Sequence, residues 1–255
     1  MTTGQIRVLA LVRREVNRFM KIKRQTLGAP LLETFLYVSI FGAALGSRIH
    51  ELHGFRYVVF VIPGLVMMAW AVNAFSNNAS SILQQKFERA IDDQLSSPAS
   101  PGELLLGFSS GGFLRGAIVA AITWAVATAL VGLPVTEPLV LIPSLLLVGM
   151  FFAQAGVFVG TRAESFDDVA VYQQFVLQPL IFLGGVFYSA SLLPEPFATL
   201  TRFNPLYYMI ALVRYGFLGY HEISIAIAFV ALTLVTAAMT ALNIRMFDRG
   251  THLRA

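Results

Sequence analysis

The chain of 255 residues carries a formal net charge of +4, and 56% of its residues are hydrophobic whereas only 13% are charged. A soluble domain ordinarily has about 25% charged residues, so this composition excludes an ordinary soluble protein and favours an all-α integral membrane protein. The sequence has no cysteine, which excludes disulfides, iron–sulfur clusters and thiolate zinc sites. Basic cytoplasmic loops explain the positive charge, so no nucleic-acid partner is expected.

Residues 1–26 predict a basic amphipathic helix. On a helical wheel one face is apolar, and the opposite face carries four basic residues: Arg7, Arg14, Arg18 and Lys21. We expect this helix to lie in the headgroup plane with its basic side toward anionic lipid. The segment lacks the continuous apolar core of a cleavable signal peptide.

Six apolar spans are predicted after this helix, each close to the length that crosses a bilayer. They cover residues 27–46, 57–79, 104–132, 139–160, 169–188 and 223–244. If both termini are cytoplasmic, most of the 18 Lys and Arg residues lie on the inner side. This distribution is the one that the positive-inside rule favours.

The stretch between the second and third spans concentrates charge, with Lys86, Glu88, Arg89, Asp92 and Asp93 close together. Three apolar residues, Phe87, Ile91 and Leu95, recur every four positions and predict one apolar stripe on a short cytoplasmic helix. Such a helix has no domain of its own to pack against. We therefore expect it to contact a partner protein or the membrane surface.

Residues 189–219, between the fifth and sixth spans, are too apolar for a free loop and too interrupted for one continuous span. Pro194, Pro196 and Pro205 break the segment. It is typical of helices that enter the membrane from outside and return, which protein must shield at that depth. The alternative is a tightly packed extracellular loop.

Amide side chains interrupt the second and fifth predicted spans. Asn73 and Asn77 lie one helical turn apart, and so do Gln174 and Gln178, with Gln173 beside them. Each amide needs a hydrogen-bond partner in lipid. They either link helices or line a pathway that meets the polar part of a substrate.

Arg115 lies within the third predicted span. A buried arginine costs about 2.5–3.5 kcal/mol on insertion scales, so a partner is expected. Glu33 and Glu103 are the candidates, because both are predicted near the inner surface. Snorkelling of the arginine toward the headgroups is the alternative.

The sequence does not contain the Gly-x-x-x-x-Gly-Lys-Ser/Thr phosphate loop. We therefore expect that the chain by itself is not an enzyme and has no cofactor of its own. His50 and His53 could share a metal ion, but a solvated pair without further ligands is the favoured interpretation, and no metal site is predicted.

Three segments resemble the permease subunits of ABC-2-type exporters. The most specific is "LQPLIFLGGVFYSASLLPEPFATLTRFNPLYYMIALVR" at 177–214, and the others are "GFRYVVFVIPGLVMMAW" at 54–70 and "AESFDDVAVYQQF" at 163–175. The resemblance covers nearly the whole chain. It implies a type V exporter-like fold in a single transmembrane domain, 1–255, with six transmembrane helices.

The resemblance also implies an N-terminal interface helix at 1–26, a cytoplasmic coupling helix at 84–100 and an external re-entrant helical hairpin at 189–219. Its implied partners are two copies of a separate ABC ATPase subunit, which would bind ATP and Mg²⁺, and a second permease chain, as a homodimer. The implied location is the bacterial inner membrane, with both termini cytoplasmic.

Three groups of site residues follow from the resemblance. Coupling to the ATPase is assigned to Phe87, Glu88, Arg89, Ile91, Asp92 and Leu95. The substrate pathway is assigned to Asn73, Asn77, Gln173, Gln174 and Gln178. The exit gate is assigned to Phe187, Tyr188, Phe197, Pro205, Tyr207, Tyr208 and Arg214, although interfacial anchoring explains these aromatic residues equally well.

The expected function is ATP-driven export of a hydrophobic or amphipathic drug or lipid from the cytoplasm or inner leaflet. Export of a lipid-linked glycan is the alternative within this class. An ion-driven secondary transporter is a more distant alternative, which predicts ionisable residues near the middle of the membrane. A scaffold without transport activity also stays open.

Overall fold

A computed structural model describes residues 3–21, 24–45, 49 and 51–250. The chain begins with α1 (Thr3–Lys21), which carries basic residues in its last turn. Four long apolar helices follow at intervals: α3 (Tyr57–Phe87), α5 (Pro101–Val131), α6 (Pro138–Arg162) and α11 (Ile225–Arg249). Each of them is long and apolar enough to cross a membrane. The second, third, fourth and sixth predicted spans are thereby confirmed as helices of spanning length.

Two predicted spans are interrupted by wide helical turns. The first contains α2 (Ala29–Ser39), flanked by π-helical turns at Arg24–Gly28 and Ile40–Leu45. The fifth contains α7 (Phe166–Val171), a π-helical segment Tyr172–Leu177 and α8 (Gln178–Leu183). Pro179 lacks the N–H that would continue the α-helical ladder, and π turns are a common response to such a defect. Six transmembrane helices therefore stay a prediction, whereas four helices of the described residues are long and apolar enough to span a membrane by themselves.

The central helix is α3, which packs against α5, α6 and α10 (Pro205–Leu218). Glycines on α5 and α6 allow this close approach. A Cβ atom on Gly112 would collide with the backbone carbonyl of Ala74, and one on Gly160 would lie 2.6 Å from the carbonyl oxygen of Ala79. Small residues of this kind are what bring helix backbones together in lipid.

A short β-hairpin joins the first helical segment to α3. Glu51–Leu52 (β1) pairs antiparallel with Phe55–Arg56 (β2), and His53 and Gly54 form the turn with positive φ angles of 53° and 83°. Such turns suit the twist of two-residue hairpins. The His53 ring is stacked 4.7 Å from that of Tyr220 and lies 3.0 Å from the Ser189 hydroxyl, and the residue stays exposed. His50 lies outside the described residues.

Two helices fill most of the segment 189–219. After a 3₁₀ turn at Ala190–Leu192, α9 (Phe197–Phe203) and α10 are joined at Asn204. The Asn204 side chain accepts a hydrogen bond from the Leu206 N–H at 3.0 Å and donates one to the Leu180 carbonyl at 2.6 Å. Most of α10 is buried against α3, α6 and α11. The segment is thus helical and packed, and its position in the membrane stays a prediction.

Two ends of the molecule are named by their elements below. The hairpin end carries β1 and β2, where α3 begins. The α4 end carries the short helix α4 (Ala90–Leu95), which follows the end of α3. The sequence predicts that the α4 end is cytoplasmic.

Candidate functional site

A partly open cavity of about 290 Å³ lies beside the middle of α3. Three of the five amide residues predicted to line a pathway, Asn73, Gln173 and Gln178, meet at its wall. Its apolar wall includes Leu65 and Met68 of α3. The cavity is therefore amphipathic, because hydrogen-bonding groups and apolar side chains face the same space.

The amide groups at the wall keep part of their hydrogen-bonding capacity. The Asn73 amide donates to the Ala69 carbonyl at 2.9 Å, one turn earlier on α3. The Gln173 carbonyl accepts a hydrogen bond from the Ser76 hydroxyl at 2.6 Å, which joins the fifth helical segment to α3. These bonds orient both side chains, while the Asn73 oxygen and the Gln173 amide nitrogen form no hydrogen bond within the described part of the chain.

The other two predicted pathway residues lie elsewhere. Asn77 is fully buried, and its backbone carbonyl and side-chain oxygen accept hydrogen bonds from Arg18 at 2.7 and 2.8 Å. Gln174 is exposed and is not among the residues that line the cavity. Asn77 therefore links helices, as one of the two interpretations of the sequence allowed, and Gln174 lies outside the wall because the helical turn directs it away.

An aromatic cluster adjoins the cavity on the side of the hairpin end. The cavity residues Tyr37 and Phe182 have ring centroids 6.3 and 5.7 Å from the Phe187 ring, and Phe41 is stacked at 5.0 Å from it. The Tyr57 hydroxyl donates to the Phe187 carbonyl at 2.9 Å. Phe187, one of the residues predicted to guard an exit, thus lies directly beside the cavity.

The remaining predicted gate residues do not form one group with Phe187. Arg214 is buried, donates to the Gly185 carbonyl at 2.7 Å and lies 4.0 Å above the Phe60 ring, so it fastens α10 to α3 and to the loop after α8. Pro205 starts α10. The other members have separate environments: Tyr207 bonds to Glu222 at 3.4 Å, Tyr208 bonds to the Arg202 carbonyl at 2.9 Å, Tyr188 is half-buried and Phe197 is exposed.

The structure differs from the predicted coupling helix at Arg89. This residue has a positive φ of 55°, which separates the end of α3 from the start of α4. A residue in this conformation cannot continue a right-handed helix. Phe87 therefore ends α3 and is 57% exposed, whereas Ile91 is 1% exposed and packs in an internal cluster with Phe108 and Phe247. The prediction of a single apolar stripe on one helix is wrong, because a partner cannot reach Ile91 without displacing the core.

The other predicted coupling residues surround this break. Leu95 packs partly on the same internal cluster as Ile91. Asp92 is half-buried, Glu88 and Arg89 are exposed, and Glu88 accepts a hydrogen bond from Gln84 at 2.8 Å. The surface that a partner can reach therefore centres on Phe87, Glu88 and Arg89.

Phe166 at the start of α7 joins this exposed surface. Its ring centroid lies 5.7 Å from that of Phe87, and its side chain is 52% exposed. Lys86 fixes the arrangement, because its ammonium group donates to the carbonyls of Thr161 and Ala163 at 2.9 and 2.8 Å, at the end of α6. We name Phe87, Glu88, Arg89 and Phe166 the α4-end patch.

A buried carboxylate attaches α1 to the helix bundle. Glu15 is 1% exposed and accepts hydrogen bonds from Ser81 at 2.7 Å and from Gln85 at 3.3 Å. Arg14 and Arg18 pair with its two oxygens at 2.8 and 3.4 Å. Burial lowers the pKa of Arg18, and the neighbouring Glu15 carboxylate opposes that shift.

The predicted orientation of α1 is therefore corrected. Arg14 and Arg18 contact Glu15 inside the protein, and Arg7 donates to the Pro98 carbonyl at 2.6 Å. The exposed side of α1 includes the apolar residues Ile6, Leu9 and Met20. Three of the four predicted basic residues turn to protein partners at the buried carboxylate and the end of α4, whereas Lys21 is exposed.

Sequence reasoning missed Phe166 and Glu15. Phe166 stands in a segment that the family resemblance singled out, but nothing in that segment predicts its contact with Phe87. Glu15 lies between Arg14 and Arg18 in the sequence of α1, and a single acid among basic residues was the signal available. Its partners Ser81 and Gln85 are 66 and 70 positions away, so its burial depends on the tertiary fold.

Comparisons with known proteins agree with this architecture. The profile of the family described as "ABC-2 type transporter" matches residues 6–218. The inner membrane transport permease YadH of Escherichia coli K12 is 38% identical over 242 residues, which cover 95% of this chain and 94% of that protein. Nodulation protein J of Rhizobium leguminosarum bv. trifolii is 28% identical over 223 residues, 87% of this chain and 85% of that protein. This chain belongs to the ABC-2 type transporter family.

Proposed function

We propose that this chain is the membrane-spanning permease subunit of an ATP-driven exporter, and that its substrate is a hydrophobic or amphipathic molecule such as a drug or a lipid. The observation that carries the proposal is the amphipathic cavity beside α3, which meets the aromatic cluster around Phe187 on one side. Its amide groups suit the polar part of an amphiphile, and its apolar wall suits the remainder.

The α4-end patch supports contact with a separate ABC ATPase subunit, with one copy for each of two permease chains. Aromatic side chains rimmed by charged groups are typical anchors at protein interfaces. Closure of the ATPase dimer on ATP would move the patch and shift the helix bundle between two arrangements as a rigid body. Nucleotide drives that shift only if it binds one arrangement more tightly than the other.

The relative from Escherichia coli is named an inner membrane protein, which supports the same location for this chain. We place the α4 end and both termini in the cytoplasm and the β-hairpin outside. In this arrangement the segment 189–219 forms an external helical hairpin, and Phe187 lies between the cavity and the exit. Six transmembrane helices per chain and a homodimer complete the proposal.

The proposal is tested by purifying the chain with its ATPase subunit, reconstituting the complex in vesicles and measuring ATP-dependent movement of a fluorescent lipid. We expect transport that requires both subunits. Phe87→Ala should abolish transport while the ATPase subunit keeps basal hydrolysis, because the patch transmits movement and takes no part in hydrolysis. ATP hydrolysis by the permease chain alone, or transport without a nucleotide-binding partner, would refute the proposal.

A further inference from the structure

Glu33 is the single carboxylate among the residues that line the cavity, and no lysine, arginine or histidine of the described residues lines it. Within the described part of the chain, Glu33 has no salt bridge and no hydrogen bond. The cavity thus holds one acidic side chain. Its other polar groups are uncharged: three amides, two threonine hydroxyls and the phenol of Tyr37.

Glu33 is exposed and lies level with the middle of the membrane-spanning helices, deeper than the sequence predicts. Its neighbour Thr34 donates a hydrogen bond to Thr123 at 3.2 Å. Thr123 lies close to the middle of the uncharged run between Arg115 and Glu137 of the sequence. On the opposite wall, Asn73 lies close to the middle of the uncharged run between Arg56 and Lys86.

Arg115, the expected partner, does not neutralise Glu33. It precedes Thr123 by about 12 Å of helix rise at ~1.5 Å per residue, toward the α4 end. No salt bridge of Arg115 is found among the described residues, and its Nε atom is buried without a hydrogen-bond partner. Ionisable residues at membrane depth ordinarily have a partner or mark a pathway. The partner of Glu33 is therefore sought in the cavity itself.

The walls of the cavity match an organic cation better than a neutral or anionic ligand. Tyr37 and Phe182 present aromatic rings, which attract cationic nitrogen. The Asn73 side-chain oxygen adds a partial negative charge that also favours a cation, because the amide nitrogen of the same side chain already donates to Ala69. Leu65 and Val119 supply apolar contact for the body of the ligand.

We propose that this cavity binds amphipathic organic cations and that the Glu33 carboxylate pairs with the cationic nitrogen. The inference rests on the proposed function, since the bound cation is the transported substrate. It narrows the substrate class to amines and quaternary ammonium compounds with an apolar body. Phosphorylated glycans and acidic lipids are disfavoured, because the carboxylate repels their anionic groups.

The test uses the full-length chain in lipid nanodiscs and dicyclohexylcarbodiimide, which adds to carboxyl groups in apolar surroundings and leaves a stable N-acylurea. Peptide mass spectrometry measures the rate of modification at Glu33. The protecting probes are benzyltrimethylammonium and its uncharged isostere neopentylbenzene, in which carbon replaces the cationic nitrogen. Sodium chloride at the same concentration as the ammonium salt is the third arm, and Glu33→Gln confirms the site of labelling.

We expect benzyltrimethylammonium to slow the modification of Glu33 about tenfold at saturation, with little effect of neopentylbenzene or sodium chloride. Equal protection by the neutral isostere would overturn the inference, because the charge would then be irrelevant. Equal protection by sodium would overturn it in favour of an inorganic cation site. A Glu33 that does not react even at acidic pH also overturns it, since a carboxyl group open to a ligand is then both protonated and open to the reagent.

Failure of this inference can be told apart from failure of the proposed function. Complex formation, and ATP hydrolysis that depends on the permease chain, are measured without any added substrate. A permease that couples to its ATPase but shows no cation protection would refute this inference and leave the proposed function standing.

Discussion

The Glu15 carboxylate accepts a hydrogen bond from the Ser81 hydroxyl at 2.7 Å, and this contact joins α1 to α3 across 66 positions of the chain. Gln85 extends the connection, because it donates to Glu15 at 3.3 Å and accepts from Gln94 of α4 at 2.8 Å. One polar chain therefore connects the N-terminal helix, the central helix and the short helix beside the α4-end patch. Movement of α4 relative to α3 would disturb the contacts that hold α1.

Replacing Glu15 with alanine should release α1 from the bundle. Removing one partner of a buried ion pair leaves the other without compensation, which costs about 3 kcal/mol when that partner retains some contact with water. We expect a loss of this size in the free energy of unfolding, measured by thermal or denaturant unfolding in detergent. Arg13→Gln is the matched control, because Arg13 is exposed on the same helix. Equal effects of the two substitutions would contradict the role of Glu15.

Gly112 sets the distance between α3 and α5. Its N–H donates to the Asn78 side-chain oxygen at 2.6 Å, and Asn78 also donates to the Ala153 carbonyl at 2.8 Å. Gly112→Ala should cost about 1–3 kcal/mol through overpacking, because the new methyl group collides with Ala74 and Asn78. Gly102→Ala on the same helix is the control, since a Cβ there has open space. A comparable loss at Gly102 would show that packing against α3 does not decide the result, because alanine has the higher helix propensity at both positions.

Substitutions of Ile91 and Phe87 should separate effects on folding stability from effects on coupling to the ATPase subunit. Ile91→Ala removes a fully buried side chain and is expected to cost about 2–4 kcal/mol of unfolding free energy. Phe87→Ala removes an exposed ring and should leave the unfolding midpoint nearly unchanged while transport falls. Unfolding curves and vesicle transport measured on both variants test this. A large drop in stability for Phe87→Ala would mean that its ring packs in the core and not at a partner surface.

Hydropathy predicted the four long helices because about 20 apolar residues in sequence suffice to identify each one. It did not predict the break at Arg89, since a non-glycine residue with positive φ leaves no pattern in composition. The amide spacing brought Asn73, Gln173 and Gln178 to attention, and the structure gathers them at one wall. Asn77 shares the same spacing but faces Arg18, because an amide pair one turn apart reveals a shared face without revealing its neighbour.

Asp168 should stabilise the start of α7 in a pH-dependent way. The backbone N–H groups of Glu164 and Ser165 donate to its carboxylate at 2.9 and 3.0 Å and lower the pKa of Asp168. A depressed pKa means that the stabilisation is present above the pKa of the unfolded chain and is lost as the pH falls through the folded value. Hydrogen exchange at residues 165–171 should therefore gain protection between about pH 3 and about pH 6, relative to the intrinsic rates.

The same pH-dependent protection should be much weaker in Asp168→Asn, because the amide keeps the shape of the side chain but carries no charge to titrate. Asp167→Asn is the control, since Asp167 is exposed and lies outside the capping box formed by Ser165 and Asp168. A pH dependence that persists in Asp168→Asn would assign it to another group.

Gln173 and Gln174 offer a direct test of the cavity wall, because the two glutamines are adjacent in sequence but only Gln173 lines the cavity. Gln173→Ala removes an amide that faces the ligand and the hydrogen bond with Ser76 at 2.6 Å. We expect the half-saturating substrate concentration for transport to rise about tenfold, the loss that corresponds to one hydrogen bond of ~1.4 kcal/mol. Gln174→Ala should leave it unchanged, since Gln174 is exposed and does not line the cavity. Ser76→Ala separates the two roles of Gln173, because it removes the orienting bond and keeps the amide. A different result would contradict this role: both Ser76→Ala and Gln173→Ala lower the transport rate equally, and neither changes the half-saturating substrate concentration. The Gln173 amide would then only link helices, and substrate would not bind in the cavity.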